Sequence, residues 1–168
     1  MKRIAVFITA FTCLVGAAEF GHAATATNNL TVSASVSAAA GGCSITTIPV
    51  NFGTLPGTSL AFAQGSVSVT CGAGAAWTVT LSRGGAPAGS VRGMYVAGVR
   101  VVDYELFRTS TLTAPWGDSG FAGTYIGQGV AGVGTGAAQV STIYGQGSAV
   151  AGAPNGNYSD IVVATVNF

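Results

Sequence analysis

Two carboxylates stand two residues apart at Asp103 and Glu105, a spacing that places both on one face of a β-strand. Paired carboxylates of this kind perform glycoside hydrolysis, one as acid and one as base or nucleophile. However, Tyr104 and Leu106 alternate with them and would occupy the buried face of the same strand. We therefore favour a solvated outer strand face over a catalytic pair.

The sequence gives little support for a hydroxyl nucleophile, a nucleotide-binding loop or a carbohydrate site. Serine and threonine are abundant, but no histidine follows His22, so a hydroxyl nucleophile would lack an imidazole base. The stretch Gly127–Gly132 matches G-x-G-x-x-G, yet more glycines follow and no helix pattern does, which favours a flexible loop over a nucleotide site. A carbohydrate-active enzyme or lectin would depend on Trp116 and Asp118 beside the acid pair, and turn chemistry is the preferred interpretation of Asp118. We expect no enzyme activity, no cofactor and no small-molecule substrate.

The charged residues are few and balanced. After residue 23 the chain has four acidic side chains and four arginines, giving a formal net charge of zero, and it has no lysine. Nucleic-acid binding requires clustered basic side chains, so no nucleic-acid partner is expected. Asp160 stands within a long apolar stretch, where an aspartate usually satisfies backbone groups or pairs with an arginine.

The first residues have the pattern of a secretory signal peptide. A basic start at residues 1–3 precedes an apolar run over residues 4–18, and small residues follow at Gly21 and Ala23. Cleavage is predicted after Ala23, with Ala24 as the competing site, and a membrane anchor is the alternative. Two cysteines remain beyond this segment, Cys43 and Cys71. An even number in an exported chain predicts a disulfide, and two thiols without histidine make a poor metal site.

The remaining chain predicts an all-β protein. Glycine is abundant, at 26 residues, and no stretch has a convincing helical period. Six or seven short strands with regular turn signals indicate a β-sandwich. The predicted strands cover residues 43–52, 66–71, 77–82, 94–102, 104–107, 138–144 and 158–168, and Pro49 predicts an edge or a bend in the first of them. A further alternating stretch, residues 29–38, precedes a small-residue spacer at 39–42 that has no hairpin turn signal, so its partner must lie outside the chain or across an unusual return.

An ordered set of residues resembles one known family. The set consists of Cys43, Val50-Asn51-Phe52-Gly53, Val67-x-Val69-x-Cys71, Tyr104-x-Leu106-Phe107, Trp116-Gly117, Gly156-x-Tyr158-x-Asp160 and Val166-Asn167-Phe168. In this set and its order the chain is similar to the spore coat protein U domain family, which includes the Csu-type pilins of archaic chaperone–usher pili. The resemblance covers residues 24–168.

The resemblance implies an incomplete immunoglobulin-like β-sandwich that is completed by a donor strand from a neighbouring subunit. Residues 1–23 would be the signal peptide, residues 24–42 the donor strand and spacer, and residues 43–168 the pilin domain. The donor positions would be Leu30, Val32, Ala34 and Val36. The last strand would meet the chaperone or the next subunit through Val162, Ala164, Val166 and Phe168. The family motif would comprise Phe52, Gly53, Trp116, Gly156, Tyr158 and Asp160.

The implied function is that of a structural pilus subunit at the cell surface, supporting attachment and biofilm formation. Its partners would be a periplasmic chaperone, an outer-membrane usher and other copies of itself or related pilins. One alternative is a secreted spore or cell-surface coat protein that no usher assembles. The other is that the N-terminal strand folds back and completes its own domain.

Overall fold

The computed structural model describes residues 26–34, 42–86, 92–118 and 129–168, and for residues 26–34 it describes the backbone. The predicted signal peptide at 1–23, Val36 and residues 127–128 of the Gly127–Gly132 stretch lie outside these residues, whereas the end of that stretch, expected to be a loop, belongs to a strand that begins at Val130. Ten strands are described: β1 Ala26–Ala34, β2 Ser44–Ile48, β3 Val50–Leu55, β4 Ala61–Thr70, β5 Ala76–Leu81, β6 Gly93–Val96, β7 Val99–Phe107, β8 Val130–Val133, β9 Ala138–Ala149 and β10 Asn157–Asn167.

The strands form two five-stranded sheets. Sheet one has the order β3-β1-β10-β5-β8, and sheet two has the order β2-β4-β9-β7-β6. All pairs are antiparallel except β1 with β10, which run parallel. The predicted all-β class is therefore confirmed. No helix that could span a bilayer occurs in the described ranges.

The alternating strands place their apolar positions inward, as predicted. Val67, Val69 and Cys71 are buried along one face of β4 and the residues after it, and Trp77, Val79 and Leu81 are buried along β5. These side chains, with those of β7, β9 and β10, make one continuous core between the sheets. Burying apolar area in this way is the main source of stability in a sandwich.

Pro49 changes the path of the chain at the first predicted strand. Residues 43–52 were expected to form one strand with an edge or bend at Pro49, and the structure divides them into β2 and β3, which belong to different sheets. Proline has no N–H to continue a ladder, so a change of sheet here costs no backbone hydrogen bond. At Gly65 on β4 a Cβ would lie 2.5 Å from the Ile48 carbonyl oxygen, so glycine permits the close crossing.

Phe52 joins the two sheets on the inside of the sandwich. It is buried on β3, and its ring lies over Gly145 and Gly147 of β9 in the opposite sheet. A Cβ at Gly145 would come within 3.0 Å of the Phe52 ring, so the two glycines leave the space that the ring fills. The Phe52-Gly53 motif predicted from the sequence therefore has a packing role, and Gly53 itself has a positive φ of 62°.

Candidate functional site

The candidate site is the gap between β3 and β10 in sheet one, which β1 fills. Neither β3 nor β10 pairs with the other, so β1 is the hydrogen-bonded connection between them. On one side β1 is parallel to β10 from Thr27 with Asn157 to Ala34 with Ala164, and on the other it is antiparallel to β3. Without this strand, the described part of sheet one would have two separate pieces and an open groove between them.

The walls of this groove are apolar. Val50 and Leu55 of β3 are fully buried, and so are Val162 and Ala164 of β10. The predicted donor positions occupy the matching register: Leu30 lies beside Asp160 and Val50, Val32 beside Val162, and Ala34 beside Ala164. The register thus places the backbone of these three positions beside buried residues of β3 and β10. In this single chain the strand thus completes its own domain, the second of the two arrangements left open by the sequence.

The strand β1 precedes the first covalent cross-link of the domain. Cys43 forms a disulfide with Cys71, as predicted, and both are buried. The bond joins the chain just before β2 to the end of β4, both in sheet two. Since β1 lies outside the loop that this disulfide closes, no disulfide among the described residues ties it to the domain.

Asp160 lies in the groove wall at the level of Leu30 and is held by three donors. Its Oδ1 accepts hydrogen bonds from the backbone N–H of Gly85 and of Ile161, both at 2.7 Å, and its Oδ2 accepts one from the Tyr104 hydroxyl at 2.5 Å. Of the two roles expected for Asp160, the structure shows the satisfaction of backbone groups. A Cβ at Gly84 would lie 2.1 Å from Oδ2, so a side chain there would displace the carboxylate.

The Tyr104 hydroxyl is a protonated donor in this arrangement. Burial raises the pKa of the Tyr104 phenol well above its ordinary value, and the negative charge of Asp160 raises it further. The phenol therefore stays neutral and keeps donating to the carboxylate. Because Tyr104 belongs to β7 in sheet two, this contact ties β10 to the opposite sheet.

A second polar cluster is built around Arg92, whose side chain is fully buried. Its guanidinium donates to the carbonyl oxygens of Leu81, Ser82 and Trp116 at 2.7–3.0 Å and pairs with Glu105 at 2.5 Å. The backbone N–H of Leu106 also donates to Glu105. Three carbonyl groups and one carboxylate thus surround the buried cation and compensate for its lost hydration.

This cluster corrects the expected environment of the acid pair. Asp103 is 45% exposed and pairs with Arg100 on the outer surface, which agrees with a solvated face. Glu105, however, is 18% exposed because it is drawn onto the buried Arg92. The two carboxylates are therefore each committed to an arginine, and neither has the unpaired position that acid–base catalysis needs.

Trp116 is completely buried and bridges the two sheets. Its indole N–H donates to the Val79 carbonyl in sheet one at 3.0 Å, and its backbone N–H donates to the Leu106 carbonyl in sheet two at 2.8 Å. A ring enclosed in this way cannot stack on a sugar, so the lectin or enzyme hypothesis that depended on Trp116 and Asp118 is wrong at this position.

The last strand matches the predicted alternation except at its end. Val162, Ala164 and Val166 are buried, whereas Phe168 follows β10 and is 42% exposed. The pairing of β10 with β5 ends at Asn167, and no strand in the described part of the chain pairs with Phe168. Upstream, the Tyr158 hydroxyl donates to the Pro154 carbonyl, and Gly156 lies near the Tyr158 ring. These two motif residues close the turn before β10.

Sequence reasoning missed Arg92 and Ser82, which organise the cluster beside β5. The Ser82 hydroxyl accepts from Val163 N–H at 2.9 Å, and the Ser82 N–H donates to the Val163 carbonyl. One signal was available: Arg92 is one of four arginines after residue 23, in a stretch with few charges, where a cation without a surface role suggests a buried pair.

A comparison with protein-family models shows which family the chain belongs to. The family model described as Spore Coat Protein U domain matches residues 26–165, which is most of the chain and includes β1. This chain belongs to the Spore Coat Protein U domain family. The match begins at Ala26, where β1 also begins, so the N-terminal strand is part of the Spore Coat Protein U domain. No curated protein matches the chain.

A solved structure gives independent support for the fold of this Spore Coat Protein U domain. It is the crystal structure of the CsuC-CsuE chaperone-tip adhesion subunit pre-assembly complex from archaic chaperone-usher Csu pili of Acinetobacter baumannii. The TM-score is 0.51 at 21% sequence identity, over 76% of this chain and 40% of the matched chain. The chain thus spans less than half the length of its match. The likeness shows an immunoglobulin-like β-sandwich.

Proposed function

We propose that this chain is a structural subunit of a surface pilus, assembled by chaperone–usher donor-strand exchange and supporting surface attachment and biofilm formation. The family membership and the likeness to a chaperone–subunit complex support this proposal. The single observation that carries it is the place of β1: one strand from the N-terminal arm is the connection between β3 and β10.

Donor-strand exchange would use this groove in a neighbouring copy. The donor positions Leu30, Val32, Ala34 and Val36 would complete the core of the next subunit, while an incoming strand would replace β1 in this one. Before assembly a periplasmic chaperone would occupy the groove, beside Val162, Ala164, Val166 and Phe168. An outer-membrane usher would then exchange the chaperone for another copy or a related pilin, and the pilus would be exported to the cell surface.

β1 depends for its stability on the groove that it fills. Ordering this strand costs backbone entropy, which burial of its own few apolar side chains would offset only in part. The difference must come from the two hydrogen-bonded edges and from covering Val50, Leu55, Val162 and Ala164. Any strand with matching alternation can supply those terms, whether it comes from the same chain or from another.

The self-closed arrangement suggests a direct test by locking β1 in place. Thr27 and Thr54 are paired in the β1–β3 register, so the double variant Thr27→Cys/Thr54→Cys should form a disulfide within one chain. The assay is a gel of material sheared from the cell surface, loaded with and without boiling. Wild-type chain should give a ladder of multimers that collapses to monomer on boiling, and the locked variant should give monomer.

The matched controls separate locking from damage. The single variant Thr27→Cys should polymerise like the wild type, and mild reduction should restore the ladder of the double variant because the native disulfide is buried. Monomer alone from the wild type in both lanes would contradict exchange and favour a coat protein that no usher assembles. A variant whose disulfide is closed within one chain but that still forms a full ladder would mean that β1 is not the exchanged strand. Multimers that boiling separates only after reduction would instead show that the introduced cysteines are bonded between chains, as exchange in the same register requires.

A further inference from the structure

The outer face of sheet two has a cleft with a mixed aromatic and polar lining. Cross-strand pairing aligns Phe62 of β4, Gln146 of β9 and Glu105 of β7 in one row. The next row aligns Gln64, Tyr144 and Phe107. Side chains of one row and face are close enough to contact a common ligand. None of these positions borders the groove between β3 and β10, so the cleft is separate from the site described above.

Two cavities open on this face on either side of the Phe62–Gln146 row. One has a volume of about 300 Å³ and contacts Leu60, Asp103, Glu105, Gln146 and Ser148. The other has a volume of about 500 Å³ and contacts Phe62, Gln64, Ser110, Leu112 and Tyr144. Both volumes fall in the range of small-molecule sites.

The aromatic part of the lining is available to a ligand. Phe62 is 62% exposed, and Leu60 at the edge of the first cavity is also exposed. Tyr144 lies beside them, one row along, and is half-buried. An exposed ring at a cavity gives an apolar platform on which the C–H face of a ring-shaped ligand can stack.

The polar part of the lining is neutral in sum. Glu105 is paired with Arg92 at 2.5 Å, and Asp103 is paired with Arg100 at 2.8 Å, so two positive charges offset two negative ones. The remaining polar groups are the amides of Gln64 and Gln146 and the hydroxyls of Ser110, Tyr144 and Ser148. Amides and hydroxyls both donate and accept hydrogen bonds, which suits an uncharged ligand that carries many hydroxyl groups.

We propose that this cleft binds a neutral glycan, with a pyranose ring on Phe62 and its hydroxyls on Gln146 and Glu105. An ionic ligand would meet no unbalanced charge here, and a wholly apolar ligand would leave the amides without partners. Within the described residues no cluster of metal ligands occurs, and the site as proposed uses side chains alone. The site adds a receptor function to the domain and does not depend on donor-strand exchange.

The test uses the purified full chain on an array of immobilised neutral oligosaccharides built from glucose, galactose and mannose, beside sialylated and sulfated forms. Wild-type chain should bind at least one neutral glycan. Phe62→Ala and Gln146→Ala should each weaken that binding about tenfold or more, and Phe62→Trp should retain it because a ring remains. The matched control is Val140→Ala, which changes an equally exposed apolar side chain on β9, away from the cleft.

Three results would overturn the assignment. They are no neutral glycan bound by the wild type, a preference for the sialylated or sulfated forms, and binding that Phe62→Ala and Gln146→Ala leave unchanged. Thermal unfolding of each variant shows that it is folded, as expected because Phe62 is exposed and Gln146 is only half-buried. If Phe62→Ala instead removes the multimer ladder while no glycan is bound, the cleft is a contact between subunits and the glycan assignment is wrong.

Discussion

β10 has two neighbours in sheet one, and the protein holds them in different ways. On one side β1 pairs with it over eight residues, and on the other β5 pairs with it over four. Side-chain contacts reinforce the shorter pairing of β10 with β5. Ser82, just after β5, exchanges two hydrogen bonds with Val163. Arg92 donates hydrogen bonds to the carbonyl oxygens of Leu81 and Ser82. Among the contacts that the structure describes, β1 is held to β10 by backbone hydrogen bonds, whereas the β5 side of β10 is also fixed by the side chains of Ser82 and Arg92.

This difference agrees with the proposed function. A strand that is to be exchanged must be held by interactions that another strand of similar pattern can reproduce, and main-chain hydrogen bonds meet that condition. A strand that stays must be fixed by contacts specific to its own chain, such as the Arg92 cluster and the indole of Trp116 on Val79. Under the proposed function, the edge of β10 that faces β1 would be the replaceable edge, and the edge that faces β5 would be the permanent one.

The largest expected effect comes from placing one carboxylate on either neighbour of β10. Val79→Asp on β5 puts a charge in the core, where Val79 is buried, and should destabilise the domain by more than about 4 kcal/mol, so that no folded subunit accumulates. Val32→Asp on β1 occupies the position beside Val162 and should abolish multimers while a folded, chaperone-bound monomer persists. The measurements are periplasmic yield with the chaperone co-expressed and the multimer ladder.

The variants Val79→Asp and Val32→Asp together test whether β5 and β1 are held to β10 in different ways. If Val32→Asp also removes the chaperone-bound monomer, β1 belongs to the permanent fold and both edges of β10 are equivalent. If Val79→Asp yields a folded monomer, the contacts on the β5 side are weaker than the buried clusters indicate.

The sequence predicted the strand β1 better than the side-chain contacts that fix β5 to β10, and the reasons are physical. Alternation of apolar and small polar residues is a local property, so residues 29–34 of β1 and the buried faces of β4 and β5 were predicted, and the disulfide followed from the even number of cysteines. The place of β1 within its own chain was left open because its alternation would fit its own groove and that of a second copy equally well. Which groove β1 occupies depends on the length of the spacer after it and on the concentration of other copies, and a pattern of side chains encodes neither.

The Arg92 cluster was missed because its parts are distant in sequence and individually ordinary. Its acceptors are backbone carbonyls, which no residue type identifies, and Glu105 had a simpler interpretation on a solvated face. The split of residues 43–52 at Pro49 was expected only as a bend, since a single proline shows where a ladder ends but not which sheet the next strand joins.

A smaller effect should follow from removing the cation on the β5 side. Arg92→Met leaves Glu105 and three carbonyl groups without their buried donor and should lower the free energy of unfolding by about 3–5 kcal/mol. Urea denaturation of the full chain measures the change. Arg100→Met is the matched control, because the Arg100–Asp103 pair is exposed and should be worth about 0–1 kcal/mol.

Equal losses in the free energy of unfolding of Arg92→Met and Arg100→Met would contradict the inference that buried side chains fix β5 to β10. An Arg92→Met variant with wild-type stability would mean that methionine packing repays the lost ion pair, as occurs when a whole buried pair is replaced. In that case Arg92→Met/Glu105→Leu should be at least as stable as the single variant, and the β5 edge would be held by packing alone.

The smallest effect concerns Tyr104, whose hydrogen bond to Asp160 anchors the half of β10 that pairs with β1. Tyr104→Phe leaves the carboxylate with its two backbone donors and should cost about 1–2 kcal/mol at neutral pH. The pKa of Tyr104 is raised in the folded state, so the folded chain keeps a proton that the unfolded chain releases above its ordinary pKa of about 10. Stability from this group is therefore complete below about pH 10 and declines as the pH rises further.

The variant should consequently show a shallower loss of stability than the wild type between about pH 10 and 11.5, measured by urea denaturation across that range. Tyr95→Phe, which removes a phenol from β6 away from Asp160, controls for the substitution and should keep wild-type stability at neutral pH. Parallel alkaline profiles for Tyr104→Phe and wild type would show that the phenol titrates alike in both states. The anchor on the β1 half of β10 would then be the two backbone donors to Asp160, and that edge would be held by main-chain groups throughout.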